Sequence, residues 1–136
     1  MTQPQPIRVL IADDEAHIRS VVAAIAGALG GIVVAEAADG EAAFDRFVET
    51  RPDMVILDIN MPKVMGDKAL QRILEVDPDV FAVMMSAQDT IDTVRRCIDM
   101  GARNYILKSN SGEEIYRLLS ESWDGYAAEI REREAA

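Results

Sequence analysis

Cysteine is almost missing from this 136-residue chain. Cys97 stands alone, so no intrachain disulfide can form, and the expected compartment is a reducing one, the cytoplasm. It falls mid-helix between Val94 and Ile98, where it reads as a small core residue and not as a reactive thiol. Positive charge is also scarce. Against 24 Asp+Glu there are 14 Lys+Arg, a net charge of −10 with no run of basic residues, which speaks against a nucleic-acid partner. The opening Met1-Thr2-Gln3-Pro4-Gln5-Pro6 has no apolar segment of the kind a secretory signal needs. No apolar run is long enough to cross a bilayer, so no membrane partner is expected. Internal repeats and low-complexity linkers are absent as well.

What remains is ordinary in bulk, 49% hydrophobic and 28% charged, and long enough for one domain with a substantial core. The pattern along the chain alternates. Short apolar strands are read at 7–12, 32–36, 53–58, 80–85 and 103–107. Helices are read at about 15–29, from Asp39-Gly40-Glu41 to just before Arg51-Pro52, at about 66–76, at about 89–100, and from Gly112-Glu113 onward. Gly30-Gly31, Asp77-Pro78-Asp79 and Gly101 supply the stops, Asn60-Met61-Pro62 a turn, and Asp89-Thr90 the cap of the fourth helix. Strands alternating with helices imply an α/β fold, a parallel sheet with helices on both faces. Ligands of such sheets bind at the carboxyl ends of the strands.

Those ends carry the chemistry. The first strand runs into Asp13-Asp14 and the third into Asp58. Alone, Asp13 and Asp14 read as acids that cap the following helix. Asp58 has no such duty, since Asn60 and Pro62 already make the turn. Carboxylates brought together at neighbouring strand ends repel unless something positive sits between them. Their convergence therefore points to a hard divalent cation and to phosphate chemistry. The fourth strand leads to a hydroxyl, Ser86, and the fifth to an ammonium, Lys108. Each is weak evidence singly; their value is that they share a layer with the acids. Tyr105 reads equally as a plain half-buried aromatic, and His17, near the start of the first helix, as a surface residue.

Asp13-Asp14, Asp58, Met61-Pro62, Gly66, Ser86-Ala87 and Tyr105-x-x-Lys108 together resemble the receiver domain of two-component response regulators, in its stand-alone, chemotaxis-regulator-like form. The resemblance covers about residues 6–122. It implies a flavodoxin-like (βα)5 fold with strand order 2-1-3-4-5. It implies Asp58 as phosphoacceptor, and Mg²⁺ held by Asp14, Asp13, Asp58 and the backbone carbonyl of Asn60. Ser86 and Lys108 would bind the phosphoryl oxygens, and Tyr105 would change rotamer on activation. Asn60 and Gln88 would flank the path of the hydrolytic water. The chemistry agrees: a carboxylate is an adequate nucleophile toward phosphorus, and phosphoryl transfer needs chiefly alignment and charge neutralisation. Ser109 departs from the pattern, because the family usually has a cis proline after the lysine. A cis bond here would cost roughly 3 kcal/mol, so a trans bond and a looser Lys108–Gly112 loop are expected.

Two surfaces suggest partners. In the first helix Ile18, Val22, Ile25 and Leu29 form one apolar stripe, and Val21, Ala24 and Ala28 form a second. His17, Val21 and Ala24 are the expected docking residues for a sensor histidine kinase or phosphotransfer protein, with packing under the last helix as the competing explanation of the second stripe. The last helix, read over 113–133, is longer than the sheet and should carry Trp123 or Tyr126 toward solvent. Self-association through helix 4, strand 5 and helix 5, or through helix 5 alone, is open. The sequence shows no output domain, so the signal is expected to leave through a downstream protein target. The reading is one receiver domain over 1–136, a phosphorylation-operated switch that catalyses only its own phosphorylation and dephosphorylation. The alternatives are a Mg²⁺-dependent phosphohydrolase, disfavoured by Asn60 where such enzymes place a second acid, and a receiver-like scaffold that is never phosphorylated. A flavodoxin-like cofactor protein fits worse, since no Gly/Ser/Thr-rich phosphate loop follows the first strand.

Overall fold

Strand and helix alternate five times in the computed structural model, which describes residues 5–87 and 90–135. The strands are β1 (Ile7–Ala12), β2 (Gly31–Ala37), β3 (Met54–Asp58), β4 (Phe81–Ser86) and β5 (Asn104–Leu107). The helices are α1 (Ala16–Ala28), α2 (Gly40–Thr50), α3 (Gly66–Val76), α4 (Ile91–Met100) and α5 (Gly112–Ala135). All strands pair in parallel, in the order β2-β1-β3-β4-β5, as the resemblance implied. Ala12 lies opposite Leu57, Asp58 opposite Met85, and Ser86 opposite Leu107. The carboxyl ends of β1, β3, β4 and β5 therefore open on one shared edge.

The period of two along each strand divides the core. Leu10, Val55, Leu57, Ala82 and Met84 face one way, onto Phe47 of α2, Leu70 and Ile73 of α3 and Cys97 of α4. Val9, Ile11, Met54, Ile56, Phe81, Val83 and Met85 face the other, onto Val22, Ile25 and Ala26 of α1 and Ile115 and Leu119 of α5. β3 and β4 are buried over their whole length, which is why they read as uninterrupted apolar runs. Cys97 is buried as expected, and burial pushes its thiol pKa up.

Local chemistry accounts for the boundaries. Gly30 takes φ 87 to leave α1, and Gly31, read as part of the stop, already opens β2. The Asp39 carboxylate accepts the Ala42 N–H at 2.7 Å and caps α2. That helix ends at Arg51, ahead of Pro52, in the left-handed region with φ 44. Thr90 caps α4 by accepting the Thr93 N–H; Asp89, its expected companion, lies outside the described residues.

The long last helix is present, but its expected consequence is not. Trp123 and Tyr126 are half-buried and pack against the core instead of projecting into solvent. Their rings lie 5.2 and 5.4 Å from that of Phe81, edge-on. The Tyr126 hydroxyl donates to the Asp79 carbonyl at 2.8 Å, and the Arg103 guanidinium lies 4.8 Å from the Tyr126 ring centre. Because α5 runs antiparallel to the strands, its last turns reach the amino end of β4. There Phe81 offers apolar surface to cover, and the rim offers a carbonyl for the hydroxyl. Arg133 pairs with Asp79 and Glu129 with Arg103 along the same descent.

Candidate functional site

β1 and β3 deliver Asp13, Asp14 and Asp58 to one point at the carboxyl edge of the sheet. Ligand oxygens of the three lie within 4.8 Å of one another. Asp13 and Asp58 are each only 3% exposed, whereas Asp14 is open to solvent. Asp13 uses both oxygens: one accepts the Glu15 N–H at 2.9 Å ahead of α1 while the other meets Lys108. Glu15 itself gives the helix no side-chain cap.

Lys108 reaches across from the end of β5. Its Nζ stands 2.6 Å from Asp13 Oδ2 and 3.1 Å from Asp58 Oδ2. No cis peptide bond occurs among the described residues, so Lys108–Ser109 is trans. The side chain is nonetheless held, and its own N–H donates to the Ser86 carbonyl at 2.8 Å. Burial opposes the Lys108 charge, but hydrogen bonds and attraction from Asp13 and Asp58 outweigh it and raise the pKa. Asp58 is pushed the same way, upward. Burial is the main cause and repulsion from Asp13 adds to it, only partly offset by Lys108 and the Asn60 backbone N–H. A single ammonium thus leaves the pocket short of positive charge. Hard oxygen donors, two buried and one exposed, fit a cation such as Mg²⁺ that keeps several of its waters.

The segment after Asp58 is clamped by backbone. Ile59 donates to the Met85 carbonyl at 3.2 Å, and Gly66 donates to the Ile59 carbonyl at 2.7 Å. A Cβ on Gly66 would stand 1.9 Å from the Asp58 carbonyl oxygen, so only glycine fits there. Met61 is buried beneath the turn, while Asn60 is exposed above it. Ser86, 1% exposed, ends β4 beside a cleft of about 140 Å³. Asn60, Met65, Thr93, Arg96 and the half-buried Tyr105 line the same cleft. The sheet therefore gathers Asp13, Asp14, Asp58, Asn60, Ser86, Tyr105 and Lys108 at one edge. Gln88 lies outside the described residues.

His17, Val21 and Ala24 stand apart from that pocket, exposed on the flank of α1, with Val21 38% accessible. The packing explanation of the second apolar stripe fails, because Ala24 and Ala28 are exposed as well and the core shared with α5 is built from Val22, Ile25 and Ala26. One residue escaped the sequence reading. Arg19 Nη1 donates to the Asp13 carbonyl at 2.7 Å while its Nε meets Glu36 at 3.2 Å, bracing the loop that carries two of the acids. Nothing in the sequence marks it, since an arginine in the first turns of a helix is ordinarily solvated surface.

Known proteins share this arrangement. The chain matches the response regulator receiver domain over residues 9–120. Protein CcdB of Bacillus subtilis (strain 168) is 40% identical over 113 residues, covering 83% of this chain and 94% of that protein. Chemotaxis protein CheY of Thermotoga maritima is 33% identical over 113 residues, with the same 83% and 94% coverage. Among solved structures, the CheX-CheY-BeF3-Mg complex of Borrelia burgdorferi aligns with a TM-score of 0.83 at 30% identity, over 87% of this chain and 90% of that one. With the sheet order, the clustered acids and these relatives in agreement, the chain belongs to the response regulator receiver domains, the phosphoacceptor modules of two-component signalling.

Proposed function

We propose that Asp58 accepts the phosphoryl group, from a sensor histidine kinase or a phosphotransfer protein, and that the phosphorylated chain signals by contact with a downstream protein. One observation carries this reading above the rest: Asp58 is buried, faces Asp13 and is touched by the ammonium of Lys108. A side chain kept for structure alone would gain nothing from that crowding.

Asp13, Asp14, Asp58 and the Asn60 carbonyl would hold Mg²⁺, which supplies positive charge beside the phosphoryl oxygens. An Asp58 oxygen attacks phosphorus as the bond from phosphorus to the donor imidazole nitrogen breaks. The imidazole keeps the electron pair and takes a proton from water, and Asp58 becomes an acyl phosphate. Lys108, already between Asp13 and Asp58, shifts its donors to a phosphoryl oxygen. Ser86 turns its hydroxyl to another, and Tyr105 turns within the neighbouring cleft, biasing a two-state surface. Asn60 and Gln88 tune hydrolysis as neutral groups with little basicity. The chain turns over no other substrate and works in the cytoplasm as one receiver over 1–136. His17, Val21 and Ala24 form the kinase docking face. α4, β5 and α5 form the face open to a target or a second copy, where Ile91 and Ile98 are exposed at 74% and 42%.

Labelling by a small phosphodonor with Mg²⁺ tests the reading. The wild-type chain takes up one phosphoryl group and Asp58→Ala takes up none. Equal labelling of the two would reject Asp58 as acceptor.

A further inference from the structure

The other end of the sheet holds a cavity that phosphorylation does not use. It measures about 320 Å³, within the rough 300–1,000 Å³ range of pockets that hold small molecules. Trp123, Tyr126, Ala127 and Ile130 of α5 form one wall. Asp53 before β3 and Asp77 before β4 stand opposite, with Pro52 and Val80 beneath them.

The lining has a consistent chemistry. Two aromatic rings and aliphatic side chains give it an apolar body. Among the described residues its only charged groups are carboxylates, and no Lys or Arg lines it. Asp53 receives the Arg8 N–H and Asp77 receives the Asp79 N–H, one oxygen of each in these contacts. The nearby guanidiniums already have partners: Arg103 pairs with Glu129 and lies over the Tyr126 ring, Arg133 pairs with Asp79 and Glu129, and Arg8 donates to the Arg51 carbonyl. An anion entering here would meet two like charges in a chain of net charge −10. A cation with an apolar body would meet the carboxylates, which attract it, beside the apolar surface of Trp123, Ala127, Ile130 and Val80.

We propose that this cavity binds a small organic cation, an amine or quaternary ammonium carried on an aromatic or aliphatic body. The site lies at the amino ends of β3 and β4, opposite the edge that carries Asp58 and Ser86, so it is independent of the phosphoacceptor assignment.

Trp123 is the only tryptophan of the chain and lines the cavity, so its emission reports on occupancy. The full chain is titrated with benzyltrimethylammonium and, separately, with phenylacetate. The expected result is a saturable change with the cation, at least about tenfold tighter than any change with the anion, a factor equal to roughly 1.4 kcal/mol. Asp77→Asn weakens the cation about tenfold by the same conversion, and Ala127→Leu blocks it by filling the cavity. Both variants keep the circular dichroism and small-donor labelling of the parent, and Asp58→Ala binds the cation as the parent does. Equal affinity for the two probes, no saturable change with the cation, or full binding by both Asp77→Asn and Ala127→Leu would overturn the proposal.

Discussion

β3 and β4 join two ends of one sheet that are built on opposite terms. At the carboxyl end, buried like charges crowd together with one lysine among them. At the amino end, Trp123 and Tyr126 pack edge to face against the buried ring of Phe81. The first end is costly to fold and useful because it is costly, since an uncompensated carboxylate pocket favours the arrival of positive charge. The second end carries no comparable charge burden and supplies apolar burial. Receiver chemistry is thus concentrated where the strands emerge, about 17 Å from the aromatic cluster, the length of five strand residues.

The contrast can be broken from either side. The largest change is expected at the aromatic end. Phe81→Ala should lower unfolding free energy by about 3–5 kcal/mol in a denaturant titration, because it empties a fully buried ring site under two aromatic neighbours. Phosphoryl uptake per folded molecule should not change. Labelling lost in proportion beyond the unfolded fraction would show that the two ends are not separable.

A smaller effect of opposite sign is expected at the charged end. Burial and Asp13 raise the Asp58 pKa in the folded chain above its unfolded value. The folded state therefore binds more protons than the unfolded state between those two values. Its Asp58 contribution is complete below the unfolded pKa and is lost as pH rises through the folded one. Asp58→Asn removes that loss, so with metal chelated it should be more stable than wild type near neutral pH, and the difference should shrink as pH falls. Thermal unfolding across pH measures it. A variant less stable than wild type near neutral pH would mean that Asp58 is a net structural asset.

Val21→Glu, on the exposed flank of α1, sharpens the comparison by touching neither end. Stability should stay within about 0.5 kcal/mol and small-donor labelling should be unaffected. Transfer from a cognate kinase should slow several-fold, seen in the time course of label passing between the two proteins. Unchanged transfer would remove Val21 from the docking face.

The sequence was most informative where one residue type had one physical duty. The strand-end acids, Lys108 and the apolar runs of β3 and β4 placed the sheet and the site, because buried parallel strands tolerate charge only where they emerge. Element ends shifted by a residue or two, as at Gly31 and Thr90, where the residue that stops one element also starts or caps the next. Tertiary partners were not legible. Trp123 and Tyr126 looked like overhang because helical periodicity says nothing about Phe81 waiting at the amino end of β4. Arg19 was missed because its acceptor is a backbone carbonyl, which no side-chain pattern reveals. The contacts of Lys108 were not legible either: its ammonium meets two carboxylates and its backbone N–H donates to the Ser86 carbonyl.

The most direct test of the account is to locate the phosphoryl group itself. Borohydride reduces an acyl phosphate on aspartate to homoserine, which peptide mass spectrometry can place along the chain. After incubation with a phosphodonor and Mg²⁺, the homoserine should appear at position 58 and nowhere else. Conversion at Asp13 or Asp14 instead, or a phosphorylated chain with Asp58 unconverted, would contradict it.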